Sequence, residues 1–269
     1  MKNQTVYALV FACAIIVAGC GNQTQNSNTV VDTVKKDTVV AQKMLEYPIP
    51  TPFEITNRLN EAGAGYIFSI SNALENADKY ETRKQKAMNL GVYGADLSYA
   101  STYNRIEETK KYVKVTQQLS DQLGIPSAMD AAAVARIEAN ISNKDSLYTI
   151  ISNSFYVSFD YLNRNQQGIT SFYILVGGWI EGIYLSSQLA ATAKDKTKVI
   201  EGIASQKIVL DKIIALSLPY KDDAEVSPLL AELNKVKAIY DKSDGKTLVD
   251  ADFKIFQKLI ESIRTSTVK

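Results

Sequence analysis

Two acidic side chains stand where acids are expensive. Glu181 is the sole charged residue in the 29 positions between Arg164 and Lys194, inside VGGWIEGIYLSS (176–187), and Asp96 lies in the apolar stretch VYGADLSYAS (92–101). A carboxylate buried without a partner must take up a proton or find a cation. Each is therefore half of an internal ion pair or a group placed for use. As a pair they could cleave a glycoside. As an acid in a pocket lined by Tyr93, Tyr99, Tyr103, Trp179 and Tyr184, either could hold a small ligand. The structural alternative, and the expected one, is a bidentate contact with arginine. Of the six arginines, Arg83, Arg105, Arg136 and Arg164 fall near helix ends or on helices able to pack alongside.

Other chemistry is removed by composition. The chain has no histidine and two cysteines, Cys13 and Cys20. Ser-His triads and the usual His-containing metal sites are excluded, and no cofactor is called for. No Gly-rich phosphate loop and no Glu-x-x-His pattern occurs. The glutamate–serine pair typical of lytic transglycosylases occurs only as Glu261-Ser262, out of its context. A non-enzymatic role is expected. With 30 basic and 29 acidic residues and no concentrated basic block, nucleic acid is not an expected partner.

The first twenty residues differ from the rest. Lys2 precedes the apolar run Val6–Ala18, too short to span a bilayer as a mature helix, and Val17-Ala18-Gly19-Cys20 follows. That tetrapeptide resembles the bacterial lipobox, with Val17 in place of the usual leucine. The resemblance implies a signal peptide over 1–19, diacylation of Cys20 and anchorage to a lipid bilayer. Cys13 would leave with the signal, so the folded part would carry no free thiol. Residues 20–46 are polar and lack a helical apolar stripe, reading as a tether. Gly21-Asn22-Gln23-Thr24 carries no acidic surface-export signal, which points to a periplasm-facing place in the cell envelope.

The remainder, 47–269, is punctuated for helices. Thr51-Pro52-Phe53-Glu54 has the form of an N-terminal capping box, and a short helix should reach Gly63. Residues 64–76 fit either a helix or a buried extended piece. Further helices are expected over 78–104, 105–123, 128–140, 144–164, 169–193, 195–218, 228–241 and 248–264. Gly124-Ile125-Pro126 should stop one, Ser127 and Asp130 should cap the next, and Asp244-Gly245 should break a later one. The fold class is all-α, a helical bundle of about nine helices.

VYGADLSYAS and GGWIEGIYLS (177–186) align at a separation of 85, which sets Asp96 against Glu181, Tyr99 against Tyr184 and Ser101 against Ser186. Two related four-helix units, 78–166 and 168–266, follow as an expectation. Segment 169–193 is long enough to cross a bilayer, but a central Glu is costly there, so an interior helix is expected. Gly178, Gly182, Ser186 and Ala190, with Gly91, Ala95, Ser98 and Thr102, form small stripes for close helix approach.

LGVYGADLSYASTYN (90–104), ENADKY (75–80) and GGWIEGIYL (177–185) together resemble a group of uncharacterised all-helical lipoproteins of Bacteroidota. The resemblance runs from about Tyr47 to the last residue. It implies fold class and envelope location and carries no catalytic residue. The leading expectation is a membrane-anchored helical binding or scaffolding domain with an envelope protein partner. The alternatives are a small-molecule domain with an acidic, tyrosine-rich pocket and a carboxylate-dependent envelope hydrolase.

Overall fold

The computed structural model describes residues 52–125, 130–243 and 245–269. Cys20, the segments 1–19 and 20–46, Thr51, Pro126, Ser127 and Asp244 lie outside the described residues. Ten α-helices and no strand occur among those described: α1 Pro52–Glu61, α2 Arg83–Thr102, α3 Ile106–Leu123, α4 Ala131–Ala139, α5 Lys144–Arg164, α6 Gly168–Leu189, α7 Lys196–Ser205, α8 Lys207–Ser217, α9 Val226–Tyr240 and α10 Asp250–Thr267. The protein is an all-α helical bundle.

Local signals account for most of the boundaries. The Gly124 backbone is left-handed (φ 71°) and the Ile125 N–H returns to the Ser120 carbonyl at 2.9 Å, closing α3 as glycine after a helix does. Asn143 and Asp195 cap α5 and α7 by accepting from Ser146 N and Lys198 N, each at 3.0 Å.

Several boundaries depart from expectation, with α6 ending at Leu189 rather than 193 and α10 running to Thr267 rather than 264, and three departures have a local cause. The helix expected from Asp78 begins at Arg83, because Thr82 and Gln85 form a reciprocal capping box at 3.1 and 3.0 Å. Asp130 is itself the cap of α4, accepting from Ala133 N at 2.7 Å, so the helix starts at Ala131 rather than 128. The expected 195–218 helix is broken at Gln206, whose N–H turns back to Ala204 and Ile203, and this break raises the count to ten.

The centre of the bundle is the pair α2 and α6. A Cβ on Gly91 would sit 2.0 Å from the Ile174 carbonyl oxygen, and one on Gly177 would sit 1.9 Å from the Met88 carbonyl oxygen. The two backbones therefore touch, which only glycine allows. Gly182 faces α1 instead, where Ile55 would meet its Cβ at 3.2 Å. The small stripe on α6 thus serves two neighbours.

The central helices run parallel. Arg83 Nε donates to Thr170 Oγ1 at 3.0 Å, 87 residues away, and its Nη2 donates to Gln167 Oε1, 84 residues away. Met88 lies against Gly177 further along. This register is close to the separation of 85 at which the two sequence segments align. α10 runs antiparallel to α6, with Gln257 Nε2 on the Ser187 carbonyl at 2.7 Å and Asn89 of α2 on the Thr267 carbonyl at 2.9 Å.

Among the described residues α6 is the one helix long and apolar enough to cross a membrane, and 89% of its most apolar window is buried inside the bundle. Its apolar character is spent on helix packing, as the charge at Glu181 led us to expect.

Candidate functional site

Residues 63–81 connect α1 to α2 as an extended strap, helical only in the 3-10 turn Leu74–Lys79. This settles the ambiguous 64–76 stretch. Non-helical backbone against a core must find hydrogen-bond partners outside itself. Here they come from tyrosines and acids on the helices below. The Tyr103 hydroxyl donates to the Ala64 carbonyl (2.9 Å), the Ile67 N–H donates to the Tyr99 hydroxyl (2.8 Å) and the Tyr93 hydroxyl donates to the Ala73 carbonyl (2.7 Å). Asn72 N–H donates to Asp96 Oδ2 at 3.0 Å, and its side-chain amide donates to the Tyr80 hydroxyl at 2.9 Å.

Beneath the strap lie Asp96 and Glu181, both without solvent exposure. Arg264 of α10 meets Glu181 in a fork: Nε to Oε2 at 2.9 Å and Nη2 to Oε1 at 3.0 Å. The same Nη2 donates to the Ile70 carbonyl at 3.3 Å, and the guanidinium lies 4.6 Å from the centre of the Tyr184 ring. The bidentate arginine was expected, but it is none of the four candidates. Arg83 closes the end of α3 through the Leu123 carbonyl (3.2 Å), Arg105 pairs with Glu108 (3.1 Å), Arg164 pairs with Asp160 (2.8 Å) and Arg136 is exposed.

One guanidinium now faces two carboxyls. Burial, and then the charge of Glu181, push Asp96 well above the ordinary carboxyl range, against the opposing pull of the Asn72 N–H and Arg264. Burial also raises Glu181, while the Arg264 charge and hydrogen bonds act to lower it. Burial disfavours the Arg264 cation, but Glu181 more than offsets this and keeps it charged. Asp96 is within hydrogen-bonding reach of Glu181, its Oδ1 meets no protein donor, and the nearby Ser71 hydroxyl does not reach hydrogen-bond geometry. A contact between two carboxyls requires a proton on one of them. The Arg264 fork on Glu181 favours the ionised form there and the proton on Asp96.

The tyrosines are structural members of this arrangement. Tyr66 stacks on Tyr99 (centroids 4.7 Å apart) and Tyr103 packs edge-on to Tyr99 (5.0 Å). Burial raises Tyr66 to about 12 and Tyr103 to about 12, so their hydroxyls stay protonated and able to donate. Trp179 does not join them. Two positions along a helix is a turn of about 200°, so Trp179 faces away from Glu181, buried, with Nε1 lacking a partner.

The alternative of an acidic, tyrosine-lined pocket finds no opening at these residues, since Asp96, Glu181, Tyr99 and Trp179 are all buried. A cavity of about 20 Å³ lies between α1, α6 and α7, and an open groove of about 500 Å³ lies between α2, α9 and α10. Neither reaches Asp96, Glu181 or Trp179. Among the described residues no group of three His, Cys, Asp or Glu side chains could hold a metal ion. In this geometry the acid pair can bind a proton and fix the strap, and it has no open face for a saccharide.

The strap also presents the most exposed large aromatic among the described residues. Phe68 is 61% exposed, next to Ser69 in a left-handed conformation (φ 67°). Its ring meets Tyr66 edge-on at 5.1 Å, and the Arg105 guanidinium lies 4.5 Å from the Phe68 ring centre and 5.1 Å from that of Tyr66. Sequence reasoning passed over it because an isolated phenylalanine in an ambiguous segment carries no periodic signal. No known family, curated protein or solved structure matches the chain.

Proposed function

We propose that this chain is a lipid-anchored helical domain of the bacterial cell envelope that binds a protein partner rather than catalysing a reaction. The apolar run ending in Val17-Ala18-Gly19-Cys20 supports the anchor, and the polar segment after it supports a tether. The observation that carries the binding role is the aromatic tip at Phe68. A bulky ring held outward on a left-handed turn, backed by Tyr66 and a guanidinium, has the residue types and rigidity of an interface anchor. Meanwhile the two acids a hydrolase would use are committed to the core.

Cys20→Ser should move the protein from the membrane to the soluble fraction, and retention in the membrane would refute the anchor. A photo-crosslinking residue at Phe68 should trap one defined partner in cells, while the same probe at exposed Val249 should not. Equal, diffuse labelling from both positions would refute the tip as the binding surface.

A further inference from the structure

We infer that Asp96 and Glu181 share a single proton, and that its loss leaves an uncompensated buried charge whose hydration lifts the 63–81 strap from the helical core, making the strap the part that opens as pH rises. The geometry carries this. Two fully buried carboxyls lie within hydrogen-bonding reach of each other, the Nε and Nη2 edge of the one nearby guanidinium is committed to Glu181, and Asp96 Oδ1 has no other hydrogen-bond partner. With the proton on Asp96, its hydroxyl donates to Glu181 and its other oxygen accepts the Asn72 N–H. Glu181 in turn holds Arg264, which grips the Ile70 carbonyl. Strap residues 70 and 72 are thus fixed through the two ends of one chain of hydrogen bonds.

Removing the proton places a second negative charge beside Glu181 with no second cation. The titratable groups facing Asp96 are Glu181 and Tyr184 on α6, Arg264 on α10, Tyr66 on the strap, Tyr93 and Tyr99 on α2, and Tyr112 on α3. Arg264 alone among these is cationic, and burial holds each of these tyrosines neutral. Hydration of the new charge must come from solvent, and the strap is the cover without a helical ladder of its own.

The test is the isosteric variant Asp96→Asn, whose amide donates to Glu181 and whose carbonyl accepts from Asn72 without a titratable proton. A group whose folded pKa is raised binds a proton in the folded state that the unfolded chain has released. The wild-type folding constant should therefore fall by up to tenfold per pH unit, relative to Asp96→Asn, as pH rises above the ordinary aspartate value. Hydrogen exchange at the Ile70 to Asn72 amides, corrected for intrinsic rate, should accelerate with pH in the wild type and not in the variant. The tyrosines titrate in both proteins, so the difference isolates Asp96. Parallel stability profiles, or strap exchange that changes equally in both, would overturn the inference. If Asp96→Asn fails to fold while Asp96→Ala folds, the amide does not replace the acid, and that too overturns it.

Discussion

Arg264 and Glu181, 83 residues apart in sequence, meet through two parallel hydrogen bonds of 2.9 and 3.0 Å, with Glu181 wholly buried and the Arg264 side chain 14% exposed. The pair joins α6 to α10 and, through the Ile70 carbonyl, both helices to the strap. Its removal has an asymmetric consequence. Arg264→Met strands a carboxylate in the core and should destabilise the fold by about 3 to 5 kcal/mol. Glu181→Leu combined with Arg264→Met removes both charges and should recover most of that loss. Urea denaturation of the single and double variants checks this, and a double variant as weak as the single one would show that packing rather than charge dominates. Arg264→Lys should rescue poorly, because an ammonium cannot make the fork.

The glycines of the central helices should divide sharply by position. Gly91→Ala or Gly177→Ala drives a Cβ to within 2.0 or 1.9 Å of a carbonyl oxygen, so the α2 and α6 axes must separate. A loss of at least ~3 kcal/mol is expected at either site. Gly94, three residues along the same helix, has nothing within 4 Å of its Cβ position. There alanine should stabilise by about 0.5 to 1 kcal/mol by relieving the conformational entropy of glycine. Melting temperatures of the three variants decide between these signs.

The surface between α8 and α9 carries alternating charges: Lys207 contacts Asp211 (3.0 Å) and Asp241 (2.8 Å), and Lys237 contacts Asp211 (2.7 Å) and Asp241 (3.0 Å). Burial acts to raise Asp211, but the ammonium groups of Lys237 and Lys207 outweigh it and hold the carboxyl low; Lys207 and Lys237 hold Asp241 low as well. Carboxyls with depressed folded values contribute stability above their ordinary range and lose it as pH falls through the folded value. Acid unfolding should therefore be less steep in Lys207→Met/Lys237→Met than in the wild type. Raised salt should weaken the wild type towards the variant at neutral pH. Identical acid limbs would show that the four charges add nothing to folding.

Much of the helical plan was legible because its signals are local. Gly124 closes α3, Asp130 caps α4, and the burial of α6 agrees with a central glutamate that is costly in a bilayer. Thr82 and Gln85 carry a capping-box signal in the sequence itself, four residues inside the boundary expected at Asp78. The strap was not legible, since AGYIFSIS supports both helix and extended chain. What decides between them is the set of hydroxyls and carboxyls on α2, far along the sequence. Glu181 and Asp96 could be marked as acids needing partners, yet the identity of Arg264 could not be read. It follows from α10 folding back antiparallel across α6, and no local pattern encodes that return. Trp179 was grouped with Glu181 by proximity in sequence, where the turn of the helix sets the two apart.

The parallel course of α2 and α6 bears on the order in which the molecule can assemble. A hairpin of adjacent helices can dock as soon as both exist, but a parallel pair must wait for the whole of α3, α4 and α5 to be laid down between them. Until α6 arrives, the Gly91 notch on α2 has nothing to receive. Until α10 then returns, Glu181 has no counter-charge. Contacts this distant in sequence slow folding relative to an up-and-down bundle of the same size.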